Sequence, residues 1–199
     1  MCGIFGTTNP KEDLTKLIHD NLERGAQAVS LFSPNYRLVY NQPEAGLWLP
    51  LEEDWILGHC QARTGELNSD RHPFQWRDWF VAHNGVIHDY TDRWGSRGFS
   101  TDTEVIPRLL GYGWQNLSDI DGTFACWAYN NKEKQTYLFS WVNPIYFSPT
   151  KFSSQPADDL TLLPEGMVFE WPTRNTILPV IAKFEGKNHP YKSKGSLGQ

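Results

Sequence analysis

Two short stretches of this chain carry the residue types for nucleophilic attack on a carbonyl. The first is MCGIFG, where Cys2 follows Met1 and precedes Gly3. A residue as small as cysteine at position 2 favours removal of the initiator methionine, so the expected mature chain begins with Cys2 and its free α-amine. That amine titrates at about pH 8, leaving a useful neutral fraction that takes the thiol proton directly or through water. Base and nucleophile then belong to one residue, and no catalytic histidine is needed. Donors must meet the oxyanion that forms when the thiolate attacks an amide carbonyl. The second stretch, VAHNGVIHDY, supplies candidates: an apolar strand ending in Asn84-Gly85 sets a side-chain amide beside a backbone N–H that no Cβ shields. The same dipeptide also makes an ordinary two-residue hairpin turn, and the local sequence leaves both readings open.

The elements that must position these groups follow from composition and pattern. At 199 residues, 39% of them hydrophobic, the chain has enough apolar material for one domain with a sizeable core. A formal charge of -5, with no run of Lys or Arg, argues against direct nucleic-acid binding. No apolar run reaches membrane-spanning length and no charged-then-apolar leader precedes the chain, so a cytoplasmic protein without membrane association is expected. Cys2, Cys60 and Cys126 form an odd set without a C-x-x-C, which points to reduced thiols. The nine tryptophans, among them Trp48, Trp55, Trp76, Trp79 and Trp127, are read as core packing in preference to a stacking platform.

Leu14, Leu17, Ile18 and Leu22 recur at helical spacing between Pro10 and Gly25, an entrance and an exit. AVSLF, YRLVY, WILGHCQA and WFVAHNG read as strands between turn residues, GTFACWAYN and QTYLFSWV as a hairpin closed by NKEK, and GMVFEWP as a late strand. STDTEVIPRLLGYG predicts a second helix, capped by Ser100 or Thr101, with Pro107 in its early turns. Many strands with few helices imply an α+β layered fold. A domain over 1–185 followed by a polar, mobile tail over 186–199 is expected.

Six segments in order, MCGIFG, ERGAQA, GHCQARTGELNSDRHPF, VAHNGVIHDY, STDTEVI and DGTFACWAYN, resemble the blocks of the class II glutamine amidotransferases, glutaminase domains with N-terminal nucleophiles. The likeness spans roughly residues 2 to 140 and extends to small stand-alone bacterial and phage members. It implies the four-layer αββα sandwich of the N-terminal-nucleophile hydrolases. Residue by residue, it makes Cys2 the nucleophile and its amine the base, and matches Asn84 and Gly85 to the oxyanion hole. It matches Asp102 to the carboxylate that binds the α-amino group of glutamine. Arg24-Gly25 matches a pair that shapes the nucleophile pocket, and His72-Pro73 an element packed beneath the site.

The chain departs from the pattern in two places. The family block G-H-T-R places an arginine on the substrate α-carboxylate; here Gln61 stands there and Arg63 follows two positions later, on the same face if the strand continues. Gln61, Arg63 and the adjoining Thr64 are therefore the candidates for that end of the substrate. Gln27 stands where an aspartate is common. His59, Cys60, His72 and His83 fit no metal-ligand spacing, and His59 and Cys60 on a strand point to opposite faces, so neither metal nor cofactor is expected.

The implied reaction is glutamine hydrolysis through a Cys2 thioester, with the ammonia passed to a separate synthase as partner. The Gln61 departure keeps two alternatives open: a hydrolase of another γ-glutamyl amide, or a catalytically degenerate binding or regulatory member. Oligomeric state is not legible.

Overall fold

The computed structural model describes residues 2–41, 47–62, 71–88, 99, 101–173 and 178–187. Thirteen strands run in chain order: β1 (Gly3–Thr7), β2 (Ala28–Phe32), β3 (Arg37–Asn41), β4 (Ile56–Gln61), β5 (Phe74–Trp76), β6 (Trp79–Ile87), β7 (Gly122–Asn130), β8 (Gln135–Trp141), β9 (Tyr146–Phe147), β10 (Lys151–Ser153), β11 (Thr161–Leu162), β12 (Met167–Trp171) and β13 (Val180–Lys183). Two helices, α1 (Pro10–Leu22) and α2 (Val105–Leu110), and two 3-10 turns, Asp102–Glu104 and Trp114–Asp119, complete the described elements.

One sheet has seven strands in the order β11-β9-β10-β1-β4-β2-β3, and the other six in the order β13-β12-β8-β7-β6-β5. Period-two alternation along β7 explains how they stack. Phe124, Cys126 and Ala128 point to one side and pack with Val105, Ile106 and Leu109 of α2. Ala125, Trp127 and Tyr129 point to the other and meet Ile4, Phe32 and Leu57 of the first sheet. That sheet turns Phe5, Val29, Leu31, Ile56 and Cys60 outward to Leu14, Leu17 and Ile18 of α1. Three apolar interlayers separate four layers, which is the αββα sandwich expected. Burying each of the three α1 aliphatics contributes about 1.5–3 kcal/mol, more than a 13-residue helix gains from propensity alone.

Local expectations are met at α1, which starts with Pro10 in its first turn. They are met again at the β7–β8 hairpin, where Asn130 Oδ1 accepts from the N–H groups of Lys132 and Glu133. The second helix begins as a 3-10 turn, and its cap is the Thr101 hydroxyl, which accepts from Thr103 N–H at 3.1 Å. Ser100 lies outside the described residues. Trp79, Trp127 and Trp171 are buried as expected, whereas Trp48 is 58% exposed. Among the residues read as a tail, Lys187 bridges to Asp121 and exchanges backbone hydrogen bonds with Ile120 and Gly122; residues 188–199 lie outside the described set. Among the described residues no helix is long and apolar enough to cross a membrane.

Candidate active site

Cys2 leads into β1, a central strand flanked by β4 and β10. It shares the strand parity of Ile4, which faces the interlayer between the sheets, so its side chain belongs to that face. Arg24 holds it there: Nε donates to the Cys2 carbonyl at 3.1 Å and Nη1 to the Ser154 carbonyl at 3.1 Å. Ser154 continues the clamp, its Oγ accepting from Ile4 N–H at 3.0 Å and its N–H donating to Ile4 O at 2.8 Å. Gly25, just after the clamp, lies against the end of β4 so closely that a Cβ would stand 2.4 Å from Ala62 N. This backbone contact requires glycine. Ala62 N–H in turn reaches the Cys2 Sγ at 3.4 Å. Burial pushes the Cys2 thiol above its ordinary value, and the Ala62 N–H pulls it back. The resting group is therefore a thiol, which needs a base to become a nucleophile.

Asn84 and Gly85 do not form a turn. β6 runs through both to Ile87, paired in continuous register with β7, and Gly85 faces Phe124. Gly85 has φ 153° and a Cβ there would lie 1.9 Å from Thr123 O, so no other residue fits. The ladder fixes where the N–H groups point. Ile87 N–H donates to Asp102 Oδ2 at 2.9 Å, away from β7, and two residues earlier the Gly85 N–H takes the same side. β5 pairs β6 only as far as Val81, so among the described residues no strand covers that side at Gly85. Asn84 has the opposite parity and shares the inter-sheet face with Ala82 and Cys2. Its side chain is 1% exposed and its Nδ2 has no hydrogen-bond partner among the described residues. A buried amide left unpartnered costs about 1–3 kcal/mol, which leaves this donor available to an acceptor entering the same face.

Asp102 opens the 3-10 turn beside β6. Its Oδ2 accepts from Ile87 N–H, and its Oδ1 accepts from the hydroxyls of Thr101 at 3.2 Å and Thr103 at 3.4 Å. Its negative charge also pushes the Cys2 thiol up, so the carboxylate lies within electrostatic reach of Cys2. Thr103 Oγ1 is a hub, 3.2 Å from His72 Nε2 and 3.1 Å from His83 Nδ1. A hydroxyl has one proton, so only one of Asp102 Oδ1, His72 Nε2 and His83 Nδ1 can receive it, and a ring nitrogen that does not must donate to Thr103. His59 stacks on His72 with ring centroids 3.7 Å apart. Burial drives His59 down to about 3, and burial lowers His72 and His83 as well, so all three are neutral at physiological pH. They form a rigid polar wall, consistent with the supporting role read for His72. His59 faces the inter-sheet space and Cys60 faces α1, and among the described residues no group of His, Cys, Asp or Glu is arranged to hold a metal.

Gln61, half-buried at the end of β4, accepts from Gln27 N–H at 3.0 Å through its backbone oxygen. Arg63 and Thr64 lie outside the described residues, as does Met1. The structure puts Arg24 and the end of β4 against Cys2, and Asp102 against the end of β6 that carries Asn84 and Gly85. Sequence reading missed Ser154, Thr103 and Asn143, whose side-chain Nδ2 donates to the Asn84 carbonyl at 2.8 Å. Thr103 was legible as the residue after Asp102 in STDTEV. The other two lie beyond the recognisable blocks.

No family model and no curated protein matches the sequence. Among solved structures, the glutamine phosphoribosylpyrophosphate amidotransferase from B. subtilis, complexed with ADP and GMP, is similar with a TM-score of 0.64 at 19% identity, over 91% of this chain and 49% of that one. A second, the allosteric regulatory enzyme of purine biosynthesis, gives 0.61 at 20% identity, over 85% of this chain and 46% of that one. The chain spans about half the length of the solved structures it matches. At such identities the likeness is one of fold, and together with the layers described above it establishes that the chain has the α+β fold of the N-terminal-nucleophile hydrolases.

Proposed function

We propose that the chain is a glutamine amidotransferase of class II that hydrolyses the side-chain amide of glutamine at Cys2. The observation that carries this reading is the buried Nδ2 of Asn84, which has no partner among the described residues and lies on the face assigned to Cys2 by strand parity. Once Met1 is removed, the α-amine takes the thiol proton and the thiolate adds to the amide carbon. The oxyanion rests on Asn84 Nδ2 and the Gly85 N–H. The protonated amine returns its proton to the departing nitrogen, the C–N bond breaks, and ammonia leaves a γ-glutamyl thioester. Water, deprotonated by the same amine, displaces the Cys2 thiolate and glutamate is released. Asp102 pairs with the substrate ammonium, and a ligand without that amine leaves the carboxylate unmatched. The name of the B. subtilis neighbour supports transfer of the released nitrogen, so we take a separate ammonia-accepting enzyme as the partner.

The test is glutamate release from glutamine by purified protein whose intact mass shows loss of Met1, with Cys2→Ala alongside. Release that disappears in the variant supports the reading. Release that survives in Cys2→Ala overturns it. One observation favours a second reading: Gln61 is neutral where a guanidinium would grip the α-carboxylate. Faster turnover of γ-glutamyl amides of larger amines than of glutamine would establish that substrate class instead.

A further inference from the structure

We propose that Asn143 is a positioning residue of the oxyanion site, one that orients and polarises the peptide carrying the Gly85 N–H. The proposal rests on the amidotransferase reading for its chemical meaning, though not for its geometry. The Asn84 carbonyl and the Gly85 N–H are the two ends of one planar amide, pointing in opposite directions. Whatever fixes the carbonyl therefore fixes the donor. Asn143 Nδ2 donates to that carbonyl at 2.8 Å from 59 residues away. A donor on the oxygen draws electron density from the nitrogen and strengthens the N–H as a donor on the far side.

The segment that delivers Asn143 is built for the purpose. β8 ends at Trp141, which pairs with Phe124 of β7, and Phe124 pairs with Gly85 of β6. The chain beyond Trp141 is thus two strands from the oxyanion peptide and level with it. Val142 then adopts φ 69°, a left-handed conformation that a β-branched residue rarely takes. Its N–H donates to Glu165 Oε2 at 2.9 Å, and Asn143 N–H donates to Trp141 O at 2.9 Å. These bonds hold a tight reversal that aims the Asn143 amide back across the sheet. The pairing with β7 sets the plane of this peptide, and Asn143 adds a side-chain donor on its carbonyl that neither Asn84 nor Gly85 can supply.

The experiment pairs Asn143→Ala with Asn143→Asp, which keeps the shape and replaces the donor amide by a carboxylate. Both variants are expected to lower kcat about 10- to 100-fold with KM for glutamine little changed, the pattern of an interaction used in the transition state. Thermal midpoints and the Asn84 carbonyl 13C resonance are read on the same samples without glutamine. The resonance is expected to move upfield in both variants. Unchanged kcat, or a rise in KM that follows a fall in thermal midpoint, overturns the proposal and leaves Asn143 as a loop tie. If the unmodified protein releases no glutamate, the amidotransferase reading fails separately; the carbonyl resonance then decides alone whether Asn143 holds this peptide, an unmoved resonance overturning the proposal and a moved one sustaining it.

Discussion

Neighbouring residues of β4 treat their polar groups in opposite ways. The Gly58 carbonyl accepts from the buried Trp127 Nε1–H at 2.9 Å, in an interlayer filled by Phe32, Leu57, Tyr129, Phe169 and Trp171. One step along the strand His59 stacks on His72, whose Nδ1 has no hydrogen-bond partner among the described residues, and neither has Asn84 Nδ2. The aromatic end of the inter-sheet space is closed and satisfied; the Cys2 end is buried, polar and holds spare hydrogen-bonding capacity. Such capacity costs stability in the free protein, so the two ends divide the labour: one holds the sheets together and the other keeps groups ready for a ligand.

The sharpest way to break this comparison is to remove the spare donor. Asn84→Ala is expected to lower kcat for glutamine about 10²- to 10³-fold with the thermal midpoint held or raised, because an unsatisfied group is lost. A large drop in thermal midpoint would place Asn84 with the structural end instead. Asp102→Asn keeps the shape and removes the charge; a substrate ammonium then loses a charge-assisted partner, and KM should rise about tenfold or more while kcat changes less. A fall in kcat at constant KM would move Asp102 from binding to chemistry.

Acid should act on the polar end selectively. His59, His72 and His83 titrate below the unfolded value of about 6.5, so the unfolded chain binds more protons in that window and stability falls as pH is lowered. For His59 the window runs from the unfolded value down to about 3. Each such histidine contributes about 1.4 kcal/mol per pH unit within its window. Denaturant unfolding between pH 7 and 4 should show this slope, and His59→Phe should flatten it by one proton; equal slopes in both proteins would remove His59 from the account. The smallest effect belongs to the closed end. Trp127→Phe keeps most of the packing and removes only the indole bond to the Gly58 carbonyl, which β4 keeps in its ladder with β1 and β2, costing about 0.5–1.5 kcal/mol with glutamate release unchanged. Loss of activity there would show that the two ends are coupled.

Much of this arrangement was legible in the sequence, for identifiable reasons. Near-continuous apolar runs between turn residues mark β4, β6, β7 and β8 because both their faces are covered, and Pro10 with the Leu14–Leu17–Ile18 spacing marks α1. Cys2, Asn84, Gly85 and Asp102 could be named because each lies in a short stretch whose residue types already suit the chemistry. Asn84-Gly85 remained ambiguous between turn and strand because the tertiary ladder with β7, and not the dipeptide, decides the conformation. β5, β9, β10 and β11 escaped because two or three residues carry no period. Ser154 and Asn143 escaped because their partners, Ile4 and Asn84, lie far off in the chain, and a side-chain hydrogen bond at that separation leaves no local pattern.

The Arg24 clamp has a consequence in time. It joins the carbonyls of Cys2 and Ser154, and β1 takes its place between β4 and β10 only when both exist. A chain being synthesised from its N-terminus therefore makes Cys2 well before it can seat it, which waits until residue 154 has left the ribosome. Throughout that interval the Cys2 thiol lacks the burial that the finished fold gives it, so the nascent chain exposes to electrophiles a thiol that the folded protein shelters.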